Sequence, residues 1–171
     1  KKGKKGSPSR ESRGSNAGGY KQLLDMIAGV ESTSSGGYEA FNTGGSDGGH
    51  TAHGSGDSSR VPIGGTVKPL SQRTVAEVMR LQSAGHLHAT GRYQIIEMTL
   101  KGLMSGRYGE TGVKPNDLYD ALTQDKLGIA LIKGRLRTGA NLENFRNEWI
   151  GLHHVPDEKL QAAIDGANQV Y

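Results

Sequence analysis

The residue best placed to do chemistry is Glu31, which closes the run LLDMIAGVE and is followed at once by STSSGG. A carboxylic acid can protonate the leaving oxygen of a glycosidic bond, provided it stays protonated near neutral pH. Apolar packing favours that state by disfavouring the anion. So does a helix C-terminus, whose partial negative charge repels a carboxylate. Ile27, Ala28 and Val30 precede Glu31 where a helix is predicted to stop, which suits a general acid. The competing reading is one more solvated charge at a helix end. A second set of groups is histidine-based. His53 and Asp57 form H-x-x-x-D, and His86 and His88 form H-x-H. Two imidazoles and a carboxylate can bind zinc, and a further histidine can assist attack by metal-bound water. Known zinc endopeptidases of bacterial walls built from such pieces are all-β, whereas the chain around both pieces here reads as helical.

The elements that must position these groups are mainly helical. Tyr20, Leu23, Leu24, Ile27, Ala28 and Val30 recur at spacings of three and four and predict a helix over 20–30, with Asn16 as N-cap. Thr74 and Glu77 form a capping box for a helix that Gly85 ends. A helix is predicted over 98–104, a short one from Asn116-Asp117 through Leu122, and a longer one capped by Thr123. Phe145 and Trp149, at i,i+4, read as a packed face rather than a sugar platform, and Tyr108 and Tyr119 as packing residues. His153 and His154 read as partly buried or surface side chains near Trp149. Pro156 at the first helical position, followed by Asp157 and Glu158, opens a last helix. Between the first two helices, eight glycines fall from Gly36 to Gly56. Residues 34–60 are expected to be a mobile loop gating the cleft, with short strands over 38–41 and 61–67.

Composition bounds the rest. The chain has 171 residues, enough for one domain, and its 27 glycines are not periodic, which excludes collagen. Without cysteine there is no disulfide, cysteine zinc site or thiol nucleophile. The net charge of +4 is uneven, because residues 1–16 carry +5 and the remainder −1. A basic linker or tail over 1–16 is expected, with the domain at 17–171. Such a tail also permits contact with anionic polymers, but no motif supports specific nucleic-acid recognition. No apolar run reaches the roughly 18 residues of a membrane span.

LDMIAGVEST together with HATGRYQII resembles the lambda-type phage endolysins of the lysozyme superfamily. Leu24, Asp25, Met26, Ile27, Ala28, Glu31 and Thr33 match the helix that presents the catalytic glutamate in that family. Gly91, Arg92, Tyr93 and Gln94 match the turn that faces it. LTQDKLGIALI and NEWIGL resemble later helices, so the likeness spans most of 20–165. It implies a lysozyme-like fold, mainly α (α+β), with a small β or loop lobe. It also implies a lytic transglycosylase that cuts between N-acetylmuramic acid and N-acetylglucosamine in bacterial peptidoglycan. Glu31 would be the acid and then the base, with no cofactor and no metal. Tyr93 and Gln94 would line the sugar subsites. Arg92 and Thr33 would join them, although Arg92 can equally fix its loop through a carboxylate. The expected setting is a monomeric domain in a phage virion, or secreted to the host periplasm or wall, with other virion proteins reached through a parent chain. Glu39, Asp47 and Asp57 in the glycine-rich loop are the candidates for a second carboxylate, which would make a hydrolase. A non-catalytic wall-binding or virion domain of the same shape is the third reading.

Overall fold

A computed structural model describes residues 18–32, 36–42, 60–63 and 66–171. Asn16, Thr33, Asp47, His53, Asp57, the basic segment 1–16 and most of 34–60 lie outside them. The described chain is mainly helical. A 3₁₀ turn at Gly18–Tyr20 leads into α1 (Lys21–Glu31), then a 3₁₀ turn at Gly37–Glu39. The two strands β1 (Arg60–Ile63) and β2 (Thr66–Pro69) pair antiparallel, with Arg60 opposite Pro69 and Ile63 opposite Thr66. Then come α2 (Val75–Ser83), α3 (Glu97–Met104), α4 (Ala121–Thr138), α5 (Leu142–Glu148), a 3₁₀ segment at Ile150–His154 and α6 (Asp157–Val170). Among the described residues no helix is long and apolar enough to cross a membrane.

The first helix forms for the reason its spacing suggests. Leu23, Leu24, Ile27 and Ala28 are buried on one face, against α4, α6 and the Ile150–His154 segment. Each large aliphatic buried this way contributes about 1.5–3 kcal/mol. The predicted Thr74 cap is present, with its hydroxyl accepting from the Glu77 amide at 3.1 Å. Gly85 turns the chain at φ +79° just beyond α2.

Five local expectations are corrected. The strand over 61–67 is a hairpin of two strands. The stretch 38–41 is a 3₁₀ turn followed by one isolated bridge from Phe41 to Thr90. No separate helix starts at Asn116-Asp117, because the Asp117 carboxylate closes a turn by accepting from the Lys114 amide at 2.8 Å, and Ala121 and Leu122 belong to α4. Leu118 then bridges Thr74, and α4 is capped by Asp120, which accepts from the Thr123 amide at 3.0 Å. Pro156 is the N-cap of α6, one position earlier than predicted, in extended geometry (φ −56°, ψ 141°).

Candidate active site

Glu31 is the last residue of α1 and borders an open pocket of about 200 Å³. The pocket wall is drawn from distant segments: Glu31 itself, Tyr93, Gln94, Ile95, Ile96 and Thr99, Leu131 of α4, and Glu148 and Trp149. Burial pushes the Glu31 carboxyl above its ordinary value, and a hydrogen bond from the Gly151 backbone offsets part of that rise. A half-buried carboxyl with a single backbone donor holds its proton at higher pH than a solvated one. It can therefore serve as a proton donor to an atom bound in the pocket.

Gly151 approaches the end of α1 so closely that a side chain there would press into Val30. A Cβ at Gly151 would lie 2.9 Å from the Val30 side chain and 3.4 Å from Glu31 Oε1. The absence of a side chain lets the 150–154 backbone close over the end of α1.

The turn carrying Tyr93 and Gln94 is held from several sides. Thr90 and Ile95 exchange backbone hydrogen bonds at 3.0 and 2.9 Å, closing the loop. Gln82, buried in α2, donates to the carbonyls of His88 and Ile95, both at 2.9 Å. Gly91 has φ +78°, and a Cβ there would lie 2.2 Å from Gln124 Oε1, so both conformation and space require glycine. Gln124 fills that place by accepting from the Arg92 amide at 2.8 Å and donating to the carbonyls of Tyr38 and Tyr119. Ser32, next to Glu31, donates to the Arg92 carbonyl at 2.5 Å and couples the acid's helix to the turn.

Gln94 is the one residue other than glycine with positive φ among the described residues, at +50°. Such a backbone costs on the order of 1–3 kcal/mol and persists only where its surroundings hold it. Here its amide donates to the Gly91 carbonyl at 2.8 Å and accepts from Asn42 at 3.4 Å.

Tyr93 borders the pocket while its hydroxyl is turned to a buried network. It donates to Asp125 Oδ1 at 2.6 Å, and Tyr38 donates to the same oxygen at 2.8 Å. Burial, reinforced by Asp125, pushes the Tyr38 phenol up to about 12 and raises Tyr93 as well. Arg92 does not border the pocket. Its guanidinium bonds Asp25 at 2.8 Å and the Tyr93 hydroxyl at 2.9 Å, and lies over the Tyr38 and Tyr93 rings at 5.3 and 5.5 Å. Burial alone would raise Asp25, but Arg92 and Lys21 outweigh it and hold that carboxyl low.

Of the residues singled out in the sequence, then, the structure brings Glu31, Tyr93 and Gln94 to one pocket and puts Arg92 behind its wall. Thr33 lies outside the described residues. Glu39 does not border the pocket and accepts from the Ser71 amide at 3.2 Å. His86 and His88 are exposed, as are His153 and His154. Among the described residues no group of three or more histidines and carboxylates is placed to hold a metal ion. His53 and Asp57 are not among those residues.

Sequence reasoning missed Glu148, Gly151, Gln124 and Asp125, and took Trp149 for core alone. Trp149 is in fact both. It is buried and stacked on Phe145 at 5.9 Å, and it borders the pocket. Ile96 is shared with a neighbouring, more apolar depression of about 450 Å³ that includes His88, Met98 and Lys101. Compared with family models, curated proteins and solved structures, the chain matches none.

Proposed function

We propose that this domain has a lysozyme-like fold and degrades bacterial peptidoglycan as a lytic transglycosylase, with Glu31 as acid and then base. The observation that carries the reading is the Glu31 carboxyl, raised by burial and placed beside Tyr93 and Gln94 in an open pocket. The likeness of LDMIAGVEST and HATGRYQII to lambda-type endolysins supplies the substrate class. The depression beyond Ile96 agrees with an extended polymer rather than a compact ligand.

In the proposed reaction the Glu31 proton passes to the glycosidic oxygen as the bond from that oxygen to the muramyl C1 breaks. The C6 hydroxyl of the same sugar attacks C1, and its proton returns to the Glu31 carboxylate. The products are a free N-acetylglucosamine 4-hydroxyl and a 1,6-anhydro muramyl end, and no water is consumed. The substrate's own hydroxyl supplies the proximity that a bound nucleophile would otherwise need. Tyr93 and Gln94 line the sugar site, Gln94 with its amide oxygen as the group left to accept from the sugar. The setting proposed is a phage virion or the host wall, reached by secretion or through a longer parent protein.

Mass spectrometry of muropeptides released from purified peptidoglycan tests this, with Glu31→Gln run beside the wild type. Anhydro-muramyl ends that disappear in the variant are the expected result. Reducing muramyl ends would make the domain a hydrolase. Cut peptides on intact glycan would replace the reading with a peptidase. No release by the wild type, with wall binding retained, would make it a non-catalytic wall-binding domain.

A further inference from the structure

We infer that Glu148 is a second carboxylate of this site, one that binds substrate by accepting a hydrogen bond from a hydroxyl or N-acetyl N–H of the glycan. The inference rests on the glycan reading of the pocket given above. Glu148 is the last residue of α5 and borders the same pocket as Glu31. Its Oε2 accepts from Arg135 at 2.5 Å, and Arg135 is held in turn by Asn144 at 2.9 Å. The carboxylate is therefore oriented before any ligand arrives. Its other oxygen has no hydrogen-bond partner among the described residues, and the side chain keeps 16% of its surface open.

A carboxylate offers about four acceptor positions, and a donor from Arg135 leaves most of them unused. In a pocket bordered by Tyr93, Leu131 and Trp149, an unused anionic acceptor is what a sugar hydroxyl or amide can satisfy. The two glutamates are set apart by their partners. Among the described residues Glu31 meets one backbone amide and no cation, and burial raises its carboxyl. Glu148 has a guanidinium and is an acceptor. Residues 148–151 thus supply an acceptor, an aromatic wall and the amide that touches Glu31.

The test uses chitotetraose, a soluble β-1,4 N-acetylglucosamine oligomer, and the fluorescence of Trp149, the one tryptophan in the sequence. Titrations are made in a Glu31→Gln background so that no ligand is consumed. Adding Glu148→Gln is expected to weaken binding by about 10-fold or more, the loss of a hydrogen bond to a charged group. Glu148→Asp keeps the charge facing Arg135 but draws it back, and is expected to weaken binding at least several-fold with the melting temperature kept. A Kd within twofold of the background protein for Glu148→Asp, or for a folded Glu148→Gln, overturns the inference and leaves Glu148 as a partner of Arg135 only. No binding by the background protein overturns it together with the glycan reading. Binding that depends on Glu148, beside a wild type that cuts no glycan, upholds the inference while the proposed reaction fails.

Discussion

Two carboxyl groups lie near Tyr93, one beside it in the pocket and one accepting from its hydroxyl, and they are treated in opposite ways. Asp125, behind the wall, is buried and receives both the Tyr38 and Tyr93 hydroxyls on one oxygen. Glu31, in the pocket, is half-buried and receives one backbone hydrogen bond. The first site is a hydrogen-bonded network that holds the Tyr93 hydroxyl from behind. The second leaves its charge poorly compensated. The fold gives Asp125 two side-chain donors and Glu31 one backbone amide, and burial raises the Glu31 carboxyl. A buried polar group that is fully bonded rigidifies its surroundings, whereas one that is not stores free energy that chemistry can draw on.

The contrast can be broken first at Glu31. Glu31→Gln is expected to lower the rate of glycan release by about 10²–10⁴-fold, the usual contribution of a general acid. The same change should leave the protein more stable at neutral pH. A carboxyl raised in the fold binds more protons folded than unfolded as pH climbs from its ordinary value of 4.5 through the raised one. Wild-type stability therefore falls across that window and stays lower above it. Melting curves of the two proteins should diverge above that window and converge below it. A variant less stable than wild type at pH 7 would contradict the burial argument. The wild-type rate should likewise fall as pH rises through the raised pKa, because the ionised acid has no proton to give.

Asp125→Ala attacks the other side. It strands two phenolic hydroxyls and is expected to cost about 1–3 kcal/mol in urea or thermal unfolding. Activity should fall too, because Tyr93 loses its anchor, but the pH profile set by Glu31 should keep its position. A shifted profile would mean that the two carboxyls are not separate in role.

Much of this site was legible because its signals are local. The periodicity of α1 and the position of Glu31 at its end are properties of eleven consecutive residues. Gly91-Arg92-Tyr93-Gln94 was picked out by its likeness to a family motif, and only the fold shows why glycine is needed there, where Gly91 meets Gln124. Glu148 and Gly151 gave no such signal. Glu148 reads as a charge at the exposed end of a helix, and its meaning depends on residues more than a hundred positions earlier. Gln124 and Asp125 look like solvated residues, because a polar pair near a helix start usually is. They are interior here because α4 is buried nearly all round, with Leu127, Ile129, Leu131 and Ile132 on different faces. The helices at 98–104, 142–149 and beyond 156 followed from spacing. The hairpin β1–β2 and the Asp117 turn did not, because turn closure is set by side-chain acceptors that periodicity ignores.

Two smaller changes sharpen the comparison. Gln94→Gly removes the positive-φ cost and is expected to gain about 1 kcal/mol of stability. It should lose about tenfold in kcat/KM through the missing amide, roughly the worth of one hydrogen bond. A variant that gains stability without losing activity would make the Gln94 turn purely architectural. Asp25→Asn breaks the pairs with Arg92 and Lys21, which are partly exposed. Its cost should stay under about 1 kcal/mol, with activity within about twofold. A larger loss would place Arg92 among the groups that hold substrate.

The amide that touches Glu31 belongs to Gly151, 120 residues further along the chain. At typical elongation rates of 5–20 residues per second, a growing chain carries its glutamate for about 6–24 s before that amide has been made. Through that interval the Glu148 and Trp149 part of the pocket wall has not yet been made. A chain broken before Glu148 is thus released without the Glu148 and Trp149 wall of the pocket and without the amide that meets Glu31.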